Sequence, residues 1–82
     1  MDQNLVALDL SNIGKKDTIK VFKKAVLFRQ GSNIQLKEIA YKFCTHPGNI
    51  TKIEKSVPNM NTISKYLSCL LNLSGLTLSD FL

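Results

Sequence analysis

The 82 residues give room for one domain with one modest core, since a chain this short buries only about 60 to 65% of the surface its unfolded form exposes. A hydrophobic content of 44%, two prolines, four glycines and the lack of any low-complexity tract exclude disorder throughout, and no run approaches the roughly 20 apolar residues of a membrane span. Eleven Lys and Arg against six Asp and Glu leave a net charge of +5, which favours a polyanionic partner such as nucleic acid.

Residues 1–14 read as an extended arm in which Leu5, Val6, Leu8 and Leu10 partly alternate with polar residues, ending in Ser11, Asn12, Ile13 and Gly14. No basic segment precedes the Leu5 to Leu8 run and Asp9 interrupts it, so no secretory leader is read and a cytoplasmic protein is expected. The sequons at Asn49 and Asn72 then carry no glycan.

Asp17 is placed to be the N-cap or first-turn acid of a first helix that runs to about Gln30, where Gly31, Ser32 and Asn33 end it. This helix has two apolar stripes: Ile19, Phe22 and Val26 form one, and Val21, Ala25 and Phe28 form the other. Lys20, Lys23 and Lys24 fill the remaining side around Leu27. One stripe suffices for a core. Leu5, Val6, Leu8, Leu10, Val21, Ala25 and Phe28 are therefore the candidate surface for arm docking, a second subunit or another protein.

From Gln35 to Phe43, Leu36, Ile39, Ala40 and Phe43 share one helical stripe and predict a short second helix. A turn at Cys44 and Thr45 leads to a third helix beginning near Pro47, whose missing N–H suits a first helical position. Ile50 and Ile53 anchor that helix with Val57 behind them, while Asn49, Thr51, Lys52 and Lys55 point elsewhere. Pro58 to Asn61 form a loop, and a fourth helix starting at Asn61 or Thr62 carries Ile63, Tyr66, Leu67, Leu70 and Leu71. Gly75 stops it, and Thr77 or Ser79 opens a last helical turn with Leu78, Phe81 and Leu82.

Cys44 and Cys69 have neither a C-x-x-C nor a zinc-finger spacing and sit in apolar-periodic segments, so both are expected to be buried free thiols. His46 is the single histidine, which leaves any metal site beginning at Cys44 and His46 without a second ligand pair. No metal and no cofactor are expected. One histidine, no paired acidic motif, no glycine-rich phosphate loop and no nucleophile with an evident base also argue against an enzyme.

Two short helices joined by a tight turn, the second polar on one face, are the arrangement that lets a helix lie in the DNA major groove. At these residues the chain resembles the Xre, Cro and lambda-repressor helix-turn-helix family, over about positions 17–82. Glu38, Ile39, Ala40, then Phe43, then Ile50, Thr51, Lys52, Ile53, Glu54 look like the family's E-L-A, apolar, I-S-R-I-E pattern. Leu67, Leu70, Leu71, Leu73 and Gly75 to Phe81 look like its closing A-L-G-V-S-L-D-E-L-F. The resemblance implies an all-α, lambda-repressor-like domain, and with the elements read above this gives five helices at 15–82 behind the extended arm at 1–14. It also puts Arg29 opposite Glu54 as a structural pair that locks the first helix to the third.

The same resemblance assigns His46, Gly48, Asn49 and Lys52 to base edges, and Gln35, Lys37, Lys55, Ser56, Asn59 and Asn61 to phosphates. Lys52 has the donors for guanine O6 and N7, and Asn49 those for adenine or a phosphate. Two departures reduce the base-reading set. Pro47 and Gly48 stand where relatives often carry Arg, Gln or Ser, and Leu36 stands where glutamine is common, with Gln35 a partial substitute. The expected function is a transcriptional regulator that binds double-stranded DNA as a homodimer on a palindromic operator. The alternative is a protein-interaction module with weak operator reading. The spacing of Asn59, Thr62 and Ile63 is similar to that of HipB-type antitoxins, which bind both an operator and a toxin; a phage repressor or a restriction controller satisfies the same residues.

Overall fold

Side chains with a 3.6-residue rhythm separated by short polar turns give an all-helical chain. The computed structural model describes residues 13–82, which form α1 (Lys15–Gln30), α2 (Leu36–Phe43), α3 (Pro47–Glu54), α4 (Met60–Ser74) and a closing 3-10 turn (Leu78–Phe81), with no strand among the described residues. Leu5, Val6, Leu8 and Leu10 of the expected arm lie outside the described residues. Of that arm's end, Ile13 packs partly buried against the core and Gly14 caps α1.

The expected fifth helix is thus a single 3-10 turn. Gly75, at φ 76°, ends α4 in the left-handed conformation that glycine adopts without strain, and its N–H bonds the Leu71 carbonyl at 2.9 Å. Thr77 and Asp80 form a capping box, and the Asp80 and Leu82 amides reach back three residues to the Thr77 and Ser79 carbonyls.

α4 is the centre of the domain. It starts one or two residues before the expected Asn61 or Thr62, because Asn59 Oδ1 accepts the Thr62 N–H at 2.8 Å and leaves Met60 as the first helical residue. From Ile63 to Leu70 the buried residues Ile63, Ser64, Tyr66, Leu67, Ser68, Cys69 and Leu70 point in nearly every direction around the cylinder, at about 100° per residue. A helix covered all round is one that other helices enclose. α1 packs on α4 and on the closing turn, α2 packs on α4, and α3 packs on α2.

On α1 both apolar stripes are used within the domain. Val21 and Ala25, expected on a partner surface, are 3% and 0% exposed and belong to the core with Phe22 and Val26. The reason is the closing turn, which covers the second stripe: Phe28 meets Phe81 edge-to-face at 5.6 Å. Phe22 makes the matching contact with Tyr66 at 5.2 Å. The fully exposed side of α1 is the lysine side, with Leu27 at 68% exposure.

The turn after α2 departs from expectation at Cys44. The residue is exposed, and its φ of 63° places it in the left-handed region, which costs a non-glycine residue about 1 to 2 kcal/mol. Its amide satisfies the Tyr41 carbonyl, and the Thr45 amide satisfies that of Ala40. Cys44→Gly is expected to raise the unfolding free energy by about 0.5 kcal/mol, relief of strain exceeding the added freedom of the unfolded chain, whereas Cys44→Val lowers it by about 1 kcal/mol or more. Urea unfolding of the two variants checks the pair; equal midpoints would show that no strain resides there.

Candidate nucleic-acid interface

The candidate face is built from α2, α3 and the turn between them. Gln35 precedes α2 as its N-cap in a capping box, with its own N–H donated to Glu38 Oε2 at 2.8 Å. Ile39 and Ala40 then bury α2 in the core. His46 plays the equivalent part for α3: its Nδ1 accepts the Gly48 N–H at 3.1 Å, and Pro47 occupies the first turn, where no amide hydrogen is needed.

Ile50, at 0% exposure, anchors α3. At about 100° per residue, Gly48, Lys52 and Lys55 fall within about 40° of the direction opposite Ile50, with Asn49 to one side. His46, Gly48, Asn49 and Lys52, the residues expected at base edges, are all exposed, as are Gln35, Lys37, Lys55, Ser56, Asn59 and Asn61, expected at phosphates.

Several of these exposed side chains already hold local structure. His46 and Asn59 cap helices, Gln35 sits in its capping box, and Ser56 Oγ donates to the Ile53 carbonyl at 3.2 Å. Asn49 Nδ2 donates to Thr45 Oγ1 at 2.7 Å, which orients its amide and makes Thr45 a positioning residue that the sequence pattern did not single out. Because His46 Nδ1 accepts, the neutral ring carries its proton on Nε2 and offers that N–H outward. A Cβ on Gly48 would meet His46 Nδ1 at an ordinary 3.4 Å, so sterics do not demand the glycine. What it provides is open backbone at the start of α3.

Behind the face, a buried polar network fixes the angle of α3. Arg29 Nε pairs with Glu54 Oε2 and Arg29 Nη2 donates to Glu54 Oε1 at 3.0 Å, a bidentate fork between α1 and α3. Arg29 Nη1 also donates to the Ile34 carbonyl at 3.2 Å, and Tyr66 Oη donates to Glu54 Oε2 from α4. The side chains of Arg29 and Glu54 are 12% and 5% exposed. Burial pulls the Arg29 pKa down, but the hydrogen bond and charge of Glu54 outweigh it and the net direction is up. For Tyr66, burial and the hydrogen bond to Glu54 both push the phenol well above its ordinary value. The sequence placed Tyr66 only on an apolar stripe; the missing signal is that a buried tyrosine hydroxyl needs a partner.

Other expectations resolve more simply. Val57, expected behind the α3 anchors, is 59% exposed because α3 ends at Glu54 and Lys55 caps it. Cys69 is buried as a free thiol whose pKa burial pushes up to about 11. Among the described residues no group of His, Cys, Asp or Glu is placed to hold a metal ion, and no helix is long and apolar enough to cross a membrane. No family model matches the chain, and no curated protein or solved structure matches it.

Proposed function

We propose that the chain is a helix-turn-helix DNA-binding domain that regulates transcription, with α3 as the recognition helix in the major groove. The observation that carries this reading is the outward face of α3. Asn49, Lys52 and Lys55 stand exposed on a helix whose opposite side is sunk in the core at Ile50 and whose end is tied to α1 by Arg29 and Glu54. Rigid support of that kind is what base reading requires, since a recognition side chain gains specificity only if its backbone does not drift. The major groove, about 12 Å wide, admits one helix. Lys37 and the capped start of α2 would meet the phosphates, setting register without reading sequence.

A homodimer on a palindromic site fits this reading, because paired helices doubling their contacts need half-sites about 34 to 36 Å apart. Pro47 and Gly48 leave few base-reading side chains, so local duplex shape contributes to specificity. A protein-interaction role is favoured by one feature, Tyr41, which is 85% exposed beside Lys37, Lys42 and Leu73.

The test is a binding titration on random duplex and on the DNA upstream of the chain's own gene, at two salt concentrations. Affinity is expected to fall steeply with salt, and Lys52→Gln to weaken binding to the upstream DNA about tenfold or more while weakening random-duplex binding less. Absence of binding to either duplex at low salt would overturn the reading.

A further inference from the structure

The exposed charge of this domain is concentrated away from α3. Lys16, Lys20, Lys23 and Lys24 are all exposed on α1, whose single carboxylate is Asp17, and Leu27 stands among them. Like charges three and four residues apart destabilise a helix. Lys16, Lys20 and Lys24 are spaced in that way, as are Lys20 and Lys23.

The direction of this stripe follows from the buried pair. Arg29 marks the side of α1 that meets α3, through Glu54. Lys20 precedes it by nine residues, which at about 100° per residue is about 180° around the helix, and Lys16, Lys23 and Lys24 lie about 120° to 140° away. Phe22, Ala25 and Val26, on the Arg29 side, are buried beneath α1. α4 lies between α1 and α2, so a duplex seated on α3 leaves the lysine stripe facing outward on another side of the domain.

We infer that the outer stripe of α1 is a second DNA-binding surface, contacting phosphates of a second duplex segment, so that one domain bridges two stretches of DNA. The inference rests on the DNA-binding reading of α3. The charge is complementary to a phosphate backbone, the side chains are long and unburied, and the stripe lacks base-reading amides. Its contacts are therefore independent of sequence.

The experiment compares wild type with the combined variant Lys16→Gln, Lys20→Gln, Lys23→Gln, Lys24→Gln, whose folding is confirmed by circular dichroism. A short immobilised duplex is asked to capture a second, fluorescent duplex through the protein, and single-duplex affinity is measured against salt. Wild type is expected to capture the second duplex. The variant is expected to lose capture and keep single-duplex binding to its specific DNA. On random duplex its salt slope falls by up to about 3.6, the value for four phosphates.

Capture by the variant at the wild-type level, as a dimer using two α3 faces would give, overturns the inference. So does failure of wild type to capture. Lys52→Gln with Lys55→Gln separates the two readings: if that pair leaves single-duplex binding intact while the α1 variant abolishes it, the α3 reading fails and the bridge with it, leaving α1 as the DNA face, whereas loss of capture in the α1 variant alone sustains both. Binding to phosphatidylglycerol vesicles that the α1 variant loses, with duplex capture unchanged, would assign the stripe to a membrane surface instead and overturn the inference.

Discussion

Replacing Arg29 with alanine is expected to lower the unfolding free energy by about 3 to 5 kcal/mol, a large part of the roughly 4 to 12 kcal/mol available to a chain of this size. The loss comes less from the attraction removed than from what stays behind. Glu54, 5% exposed, would keep a buried carboxylate with the Tyr66 hydroxyl as its one remaining side-chain donor among the described residues, and the Ile34 carbonyl would lose the guanidinium. Lysine should not restore stability, because it has neither the fork that engages both Glu54 oxygens nor the reach to serve Ile34 at the same time. Glu54→Gln in the Arg29→Ala background should cost far less than it does alone, since the two residues act as one unit. Urea unfolding of the four proteins measures this cycle. A change below about 1 kcal/mol for Arg29→Ala would show that the pair is a solvated surface contact.

The second large effect is expected at high pH, where two buried acids oppose unfolding less and less. The Tyr66 phenol has a raised pKa in the folded domain, from burial and from its hydrogen bond to Glu54. The unfolded chain therefore loses this proton first, near pH 10, while the folded chain keeps it. The stability that Tyr66 confers is complete below about pH 10 and falls above it by about 1.36 kcal/mol per pH unit, until the folded phenol ionises as well. Cys69 acts in the same sense over a lower window, from its ordinary 9.0 to about 11, for the same reason of burial. Tyr66→Phe should be less stable at neutral pH, by about 1.5 to 3 kcal/mol for a lost hydrogen bond to a charged group, yet should lose stability less steeply above pH 10. Unfolding free energies from pH 8 to 12 give the two slopes. Parallel curves would mean that the phenol titrates normally in the folded state.

What the sequence conveyed about the fold was the part governed by periodicity and by local stereochemistry. Ile39, Ala40, Ile50, Ile63, Leu67 and Leu70 recur at helical spacing, and each is buried. Pro47 and Gly75 mark a start and a stop because one lacks an amide hydrogen and the other tolerates φ 76°. Where tertiary packing decided, the sequence was silent. Val21 and Ala25 carry no mark that distinguishes a stripe covered by the chain's own closing turn from one left for a partner. Nor does the pattern of Thr77 to Phe81 distinguish a 3-10 turn from a short α-helix; the bonds of the Asp80 and Leu82 amides to carbonyls three residues back do.

For the candidate face the difference is one of shared duty. Exposure of Lys52 and Lys55 followed from their position opposite Ile50, and that of Asn49 from its place beside them, a helical-wheel argument. The tasks of His46, Asn59 and Gln35 did not, because a polar side chain beside a helix start suits a cap and a phosphate equally well. Their atoms in the folded chain go first to the backbone: Nδ1 of His46 to Gly48, and Oδ1 of Asn59 to Thr62. Only the donors left over, such as the outward Nε2–H of His46, are free for a ligand.

The central position of α4 also governs how this small domain comes into being. With seven buried residues spread around its roughly four turns and shared among its neighbours, α4 is the main surface on which α1 packs, and α1 has little to fold onto until residues 60–74 exist. The domain is therefore all-or-none: its earliest helix waits for its last one, and the polar face on α3 acquires its fixed orientation only at the moment the whole chain closes.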